Sequence, residues 1–248
     1  MTLFILSIIG FMNNMNFKPE KADPNYYELR IYHCNPGKLN DLIARFQNHT
    51  TKLFEKHGMK NIGYWVPTAE DNTDLYYILS YPDKECREKS WKNFIADPEW
   101  EKVRTASELN GKIIASIESI FLSPEDFTPK IKKSVKNPMR TFELRTYYCL
   151  PDRLPALESR FRDHTLKLFK KHGMTNIAYW KSIEKDGSQP KLIYLLAHDS
   201  QDAAKKSFDS FRLDPEWIKV RDASEKNGKI VEKVESKMMK PLSFSKYQ

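Results

Sequence analysis

The chain contains itself twice, and that duplication constrains its fold more than any other feature. Glu28-Leu-Arg-Ile-Tyr-His-Cys-Asn-Pro36 returns as Glu143-Leu-Arg-Thr-Tyr-Tyr-Cys-Leu-Pro151, an offset of 115 residues. The likeness continues through His49–Met59 and His164–Met174, then through Asn61-Ile-Gly-Tyr-Trp65 and Asn176-Ile-Ala-Tyr-Trp180. Between residues 28 and 65, 23 of 38 positions are identical in the two copies. An insertion of about two residues near Glu184–Pro190 moves the offset to 117, after which Asp97-Pro-Glu-Trp100 pairs with Asp214-Pro-Glu-Trp217 and Pro124-x-x-Phe127 with Pro241-x-x-Phe244. Solenoid units are only about 20–45 residues long, so two copies of this size are a duplicated domain.

Each copy reads as the same series of elements. Tyr26–His33 alternates and is rich in β-branched and aromatic residues, the pattern of a strand. Pro36-Gly37 opens an amphipathic helix through Leu39, Leu42, Ile43, Phe46, Leu53 and Phe54, which Gly58 closes with a left-handed cap. Ile62–Val66 and Leu75–Tyr81 form a hairpin around the polar loop Glu70–Asp74. A second helical pattern runs through Trp91, Phe94 and Ile95, and Asp97-Pro98 restarts a helix with an acidic cap and a first-turn proline. Asn110-Gly111 turns into a last strand, Lys112–Leu122. The order βαββαβ is ferredoxin-like. Helices cover one face of such a sheet, and two copies cover their other faces by closing into a barrel. The expected fold class is α+β, a fused pseudo-dimeric barrel of two repeats: 26–129 and 140–248, joined by a basic linker, 130–139, behind an N-terminal tail or signal segment, 1–25.

Charge and cysteine usage remove several function classes. The net charge is +8, but residues 1–127 carry 15 Lys and Arg against 18 Asp and Glu, and the remainder carries 26 against 15. The excess collects around Lys130, Lys132, Lys133 and Lys136 without a recognised nucleic-acid module, so no specific nucleic-acid partner is expected. Three cysteines with no CxxC spacing make neither a disulfide scaffold nor a zinc clamp, and no metal site is expected. HExxH, GxSxG, GxGxxG and Walker patterns do not occur. No stretch reaches the roughly 20 apolar residues of a spanning helix. Thr2–Met12 has the length of a signal-peptide core, yet no Lys or Arg precedes it, no Ala-x-Ala site follows, and Met15 offers a second start. On balance the segment favours an exported or periplasmic location over a cytoplasmic one.

The ordered motifs Tyr27-Glu-Leu-Arg-x-Tyr32, Pro36-Gly-Lys-Leu39, Arg45-Phe-x-x-His49-Thr50, Leu53-Phe-x-Lys-His-Gly58, Gly63-x-Trp65, Asp97-Pro-Glu-Trp100 and Pro124-x-x-Phe127 resemble the NIPSNAP family. The second copy repeats nearly all of them, with Asp152 in place of Gly37 and Ala178 in place of Gly63. The resemblance implies the dimeric α+β barrel fold and transfers no catalytic residues. The wider superfamily includes cofactor-independent monooxygenases and haem-binding or haem-degrading enzymes, a link that rests on fold analogy.

Candidate site residues follow from strand alternation. If the helices take the apolar Leu29 and Ile31, then Glu28, Arg30 and Tyr32 point into the barrel, met there by Glu143, Arg145 and Tyr147. Such a lumen would offer guanidinium forks for a carboxylate and phenols for proton transfer. The alternative is that each Glu–Arg pair neutralises itself. His49 and His164, mid-helix, are either packing residues or axial ligands of a haem. His57 and His172 precede glycine caps, where a cationic ring suits a helix C-terminus. Cys34 and Cys149 sit at strand ends with no activating base nearby in sequence, as buried free thiols do. Two functional classes stay open: a barrel binding a small molecule, aromatic, acidic or haem-like, and a noncatalytic module recruiting a protein or membrane surface. The fused pseudo-dimer leaves room for a higher oligomer.

Overall fold

The computed structural model describes residues 25–130 and 134–248. The possible signal segment and two lysines of the linker, Lys132 and Lys133, lie outside the described residues. The first repeat runs β1 (Tyr26–Cys34), α1 (Leu39–Arg45), a π-helical turn (Phe46–Thr50), α2 (Thr51–Lys56), β2 (Lys60–Pro67), β3 (Asp74–Tyr81), α3 (Lys84–Ile95), α4 (Pro98–Ser107) and β4 (Ile114–Pro124). The second repeats it as β5 (Thr141–Cys149), α5 (Leu154–Arg160), a π-helical turn (Phe161–Thr165), α6 (Leu166–Lys171), β6 (Thr175–Ser182), β7 (Leu192–His198), α7 (Gln201–Arg212), α8 (Pro215–Ser224) and β8 (Val231–Pro241).

Local chemistry sets the boundaries. Asp97 and Asp214 accept from the backbone N–H of Glu99 and Glu216 at 2.9 Å, each followed by a proline in the first turn. The first helix, however, is not continuous in either copy. Thr50 Oγ1 donates to the Arg45 carbonyl at 3.2 Å and Thr165 Oγ1 to that of Arg160 at 3.0 Å, filling the widened turn where the backbone ladder steps out of register. Gly37 has φ of 76° and Asp152 keeps φ at 60°, a left-handed turn that Asp tolerates better than most residues.

The eight strands close in the order β1-β3-β2-β8-β5-β7-β6-β4. All pairs are antiparallel. The two seams are reciprocal: β2 meets β8 at Trp65–Pro67, and β4 meets β6 at Leu122–Pro124. Each half therefore keeps its last strand beside its own first strand and extends the end of it onto the other half's sheet, the fused pseudo-dimer expected from the duplication.

Three apolar clusters hold the molecule together. Two are private, one between each half-sheet and its helices, built in the first half on Phe46, Phe54, Tyr64 and Tyr77 and in the second on Phe161, Phe169, Tyr179 and Tyr194. The third lies inside the barrel and is shared, joining Tyr27, Leu29, Ile31, Trp65 and Ile78 to Phe142, Leu144, Trp180, Ile193 and Leu195. Burying side chains of this size is worth about 1.5–3 kcal/mol each. Among the described residues no helix is long and apolar enough to cross a membrane.

Candidate functional site

The shared core does not fill the barrel. Each seam is short, so the early parts of β4 and β8 leave the neighbouring half-sheet, and a cavity of about 810 Å³ opens between the halves. Its floor is aliphatic and aromatic: Leu29, Ile31 and Tyr76 from the first half, Leu144 and Ile193 from the second, with Ile120 from β4. Its rim is charged, with Glu118, Glu184, Lys191, Glu235 and Lys237. Lys191 Nζ pairs with Glu184 at 2.7 Å, and Tyr148 donates to Glu235 at 2.9 Å. At the equivalent place in the first half, His33 is held between Asp74 at 2.8 Å and Glu118 at 2.9 Å. Burial pulls the His33 pKa down, but its hydrogen bonds to the two carboxylates outweigh this and raise it.

The residues expected to line this lumen face the other way. Leu29 and Ile31 belong to the barrel core, whereas Tyr32 packs with the helices against Phe46. Glu28 and Arg30 lie beside Tyr32 on the helix side, and Glu143, Arg145 and Tyr147 repeat this in the second half. The parity argument gave the helices the apolar positions, but in a closed barrel both faces of a strand are buried, so one polar row does not mark the lumen.

What matches these polar residues is α3. Glu28 is fully buried and accepts from Arg30 Nη1 at 2.7 Å, Arg87 Nη2 at 2.7 Å, Arg87 Nε at 3.0 Å, Trp91 Nε1 at 3.0 Å and Tyr81 Oη at 3.3 Å. Burial alone would raise its carboxyl pKa; the Arg87 and Arg30 guanidinium groups outweigh that and hold it below the usual range. Arg30 also donates to Tyr77 Oη at 2.9 Å and stacks 4.3 Å over Trp91. The pairing reading of Glu28 and Arg30 thus describes the first half, with Arg87 as the member that the strand sequence gave no sign of. In the second half Glu143 accepts from Arg145 Nη1 and Ser236 Oγ, both at 2.5 Å, and from His198 Nε2 at 3.1 Å.

The histidines expected to reach a haem do not approach the interior cavity. His49 and His164 are exposed in the π-helical turns and border surface grooves of about 600 and 570 Å³ between the helices. Neither offers an imidazole to a group held in the barrel, so the residues proposed for haem ligation do not fit one there. His57 and His172 are the C-terminal caps of α2 and α6, and each ring bonds at 2.7 Å to the aspartate that caps α4 or α8, Asp97 or Asp214. Cys34 and Cys149 are buried, and burial pushes both thiols up to about 11, far from thiolate reactivity at neutral pH.

The sequence matches the NIPSNAP family over residues 27–129 and again over 142–246, which together take in most of the chain. The chain belongs to the NIPSNAP family. It is 28% identical over 85 residues to mouse Protein NipSnap homolog 3B, a match spanning 34% of this chain and 34% of that relative's length. Among solved structures, this NIPSNAP chain is similar to a candidate monooxygenase from Lactobacillus acidophilus, at 13% identity and a TM-score of 0.59, covering 88% of this chain and 93% of that one. It is also similar to one from Fusobacterium nucleatum, at 10% identity and a TM-score of 0.62, covering 90% and 94%. At such identities the likeness is one of fold, and it supports the α+β barrel as a whole.

Proposed function

We propose that this NIPSNAP chain binds one small amphipathic molecule in the cavity between its half-sheets. The carrying observation is the lopsidedness of the walls. Where the first half presents Ile31, Tyr76 and Ile120, the equivalent positions of the second are Thr146, Ile193 and Lys237, all lining the same cavity. A symmetric homodimer would place identical residues on both walls; at these three positions one wall is apolar apart from the Tyr76 hydroxyl, while the other bears the Thr146 hydroxyl and, at its rim, the Lys237 ammonium group. Such a pocket orients a guest with an apolar body and one polar end, the usual arrangement of small-molecule sites.

The test is native mass spectrometry of freshly purified protein before and after unfolding, joined to titration with anilinonaphthalenesulfonate, an aromatic body with an anionic head. Extra mass released on unfolding, and dye fluorescence abolished by Leu144→Trp, support the reading. A bare polypeptide mass together with dye binding that Leu144→Trp leaves intact overturns it.

A further inference from the structure

The two polar networks beneath the helices differ at one position that matters. In the first half the Glu28 carboxylate is gripped from outside by the Arg87 guanidinium, with Nη2 at 2.7 Å from Oε1 and Nε at 3.0 Å from Oε2. The position equivalent to Arg87 on α7 is Ala204. Among the described residues Glu143 therefore keeps its strand partner Arg145 but receives no second guanidinium, and three donors serve it where five serve Glu28. Above it lies a cavity of about 430 Å³ lined by Glu143, Ala204, Phe208 and Asp202.

We propose that the second half holds a binding site for a small guanidinium compound, seated on Glu143 where Arg87 sits on Glu28. A planar guanidinium matches a carboxylate with two parallel N–H···O bonds, which a point-like ammonium does not. Half of the aromatic wall is retained: the Arg87 guanidinium lies 5.0 Å from the Phe121 ring centre and 5.7 Å from that of Trp91, and the equivalent places hold Met238 and Phe208, the latter also carrying the Arg145 guanidinium at 4.6 Å. Asp202 adds a carboxylate at the mouth. Three cations also line the cavity and each is engaged by a carboxylate: Arg145 by Glu143 at 2.5 Å, and Lys205 and Arg212 by Asp209, at 2.9 and 2.5 Å. An anionic guest would instead meet the Glu143 carboxylate. The first half is thus a picture of the second with its ligand covalently attached, and this site is separate from the cavity between the half-sheets.

The experiment titrates the full chain with methylguanidinium, following the melting temperature and the calorimetric heat, against methylammonium and sodium chloride at equal ionic strength. Saturable binding of one methylguanidinium per chain, at least tenfold weaker or lost in Ala204→Arg, is the expected result. Arg87→Ala should open a twin site and raise the stoichiometry to two. The proposal is overturned if wild-type protein gives no saturable response, if methylammonium binds equally well, or if Ala204→Arg leaves binding unchanged. Ala204→Arg adds an arm to an open cavity, so the result does not hinge on Arg87→Ala folding.

Discussion

Replacing Glu28 by Gln keeps the shape of the side chain and removes its charge from between two guanidinium groups. The Arg30 side chain is 11% exposed and that of Arg87 20%, so neither rehydrates fully where it stands. Breaking a buried pair by removing one partner costs about 3–5 kcal/mol, because the remaining charge stays desolvated. Arg87 can swing outward from α3, which places the expected loss near the lower end, about 3 kcal/mol, or roughly 6–12 °C in Tm for a chain of this size. Urea unfolding at neutral pH measures it directly. The loss should shrink in acid: a carboxyl held below its ordinary pKa contributes stability above that ordinary value and loses it as pH falls through the depressed one. Glu143→Gln should cost less, since it frees one guanidinium rather than two. A Glu28→Gln variant within about 1 kcal/mol of wild type, or one milder than Glu143→Gln, would refute the assignment of these carboxylates to the helix side.

Other perturbations read different parts of the fold. At Gly63 an added Cβ would lie 2.2 Å from the Trp65 ring, so Gly63→Ala should destabilise by about 1–3 kcal/mol on denaturant unfolding; retained stability would mean that Trp65 repacks as Trp180 already does beside Ala178. Buried Glu125 has its pKa pushed up to about 7 by desolvation and then by the neighbouring Glu158 charge, partly offset by Lys181. A raised carboxyl favours the fold below its unfolded pKa of about 4.5 and loses that contribution as pH rises through about 7, so Glu125→Gln should flatten the decline in Tm across that window, and an unchanged profile would remove Glu125 from the account.

Much of this architecture was legible in the sequence because it is written in local chemistry. The repeat gave two equal units, Asp97-Pro98 and Asp214-Pro215 marked helix starts, and the element order led to the barrel. The facing of Glu28, Arg30 and Tyr32 was not legible, because their partners Trp91 and Arg87 lie about sixty positions onward, on a different element. A lumen was expected, but its lining was misread for a related reason. Its apolar lining is one or two residues from each of five strands, and no one stretch of sequence shows that Trp65 and Trp180 fill one part of the barrel while Ile31, Leu144 and Ile193 leave another open.

Comparison of the copies face by face explains where this protein is free to specialise. On the helix side the residues are nearly the same in both halves: Glu28 and Glu143, Arg30 and Arg145, Tyr64 and Tyr179, Tyr77 and Tyr194, Phe46 and Phe161. Inside the barrel Leu29 and Leu144, Ile62 and Ile177, and Trp65 and Trp180 are kept, but more positions differ, with Tyr27 against Phe142, Ile31 against Thr146, Tyr76 against Ile193 and Ile78 against Leu195. Each helix-side core packs only its own half, so both copies answer to the same close-packing demand. Interior residues pack across the seam, where what must be kept is complementarity between two walls, not their identity. In a homodimer those walls are bound to be the same; joining the copies in one chain removes that constraint. The asymmetric cavity follows from that freedom. The helix side has its own exceptions, Trp91 against Phe208, Tyr81 against His198 and Arg87 against Ala204; the last lies at the outer edge of its core, where loss of a side chain opens a pocket to solvent instead of a void.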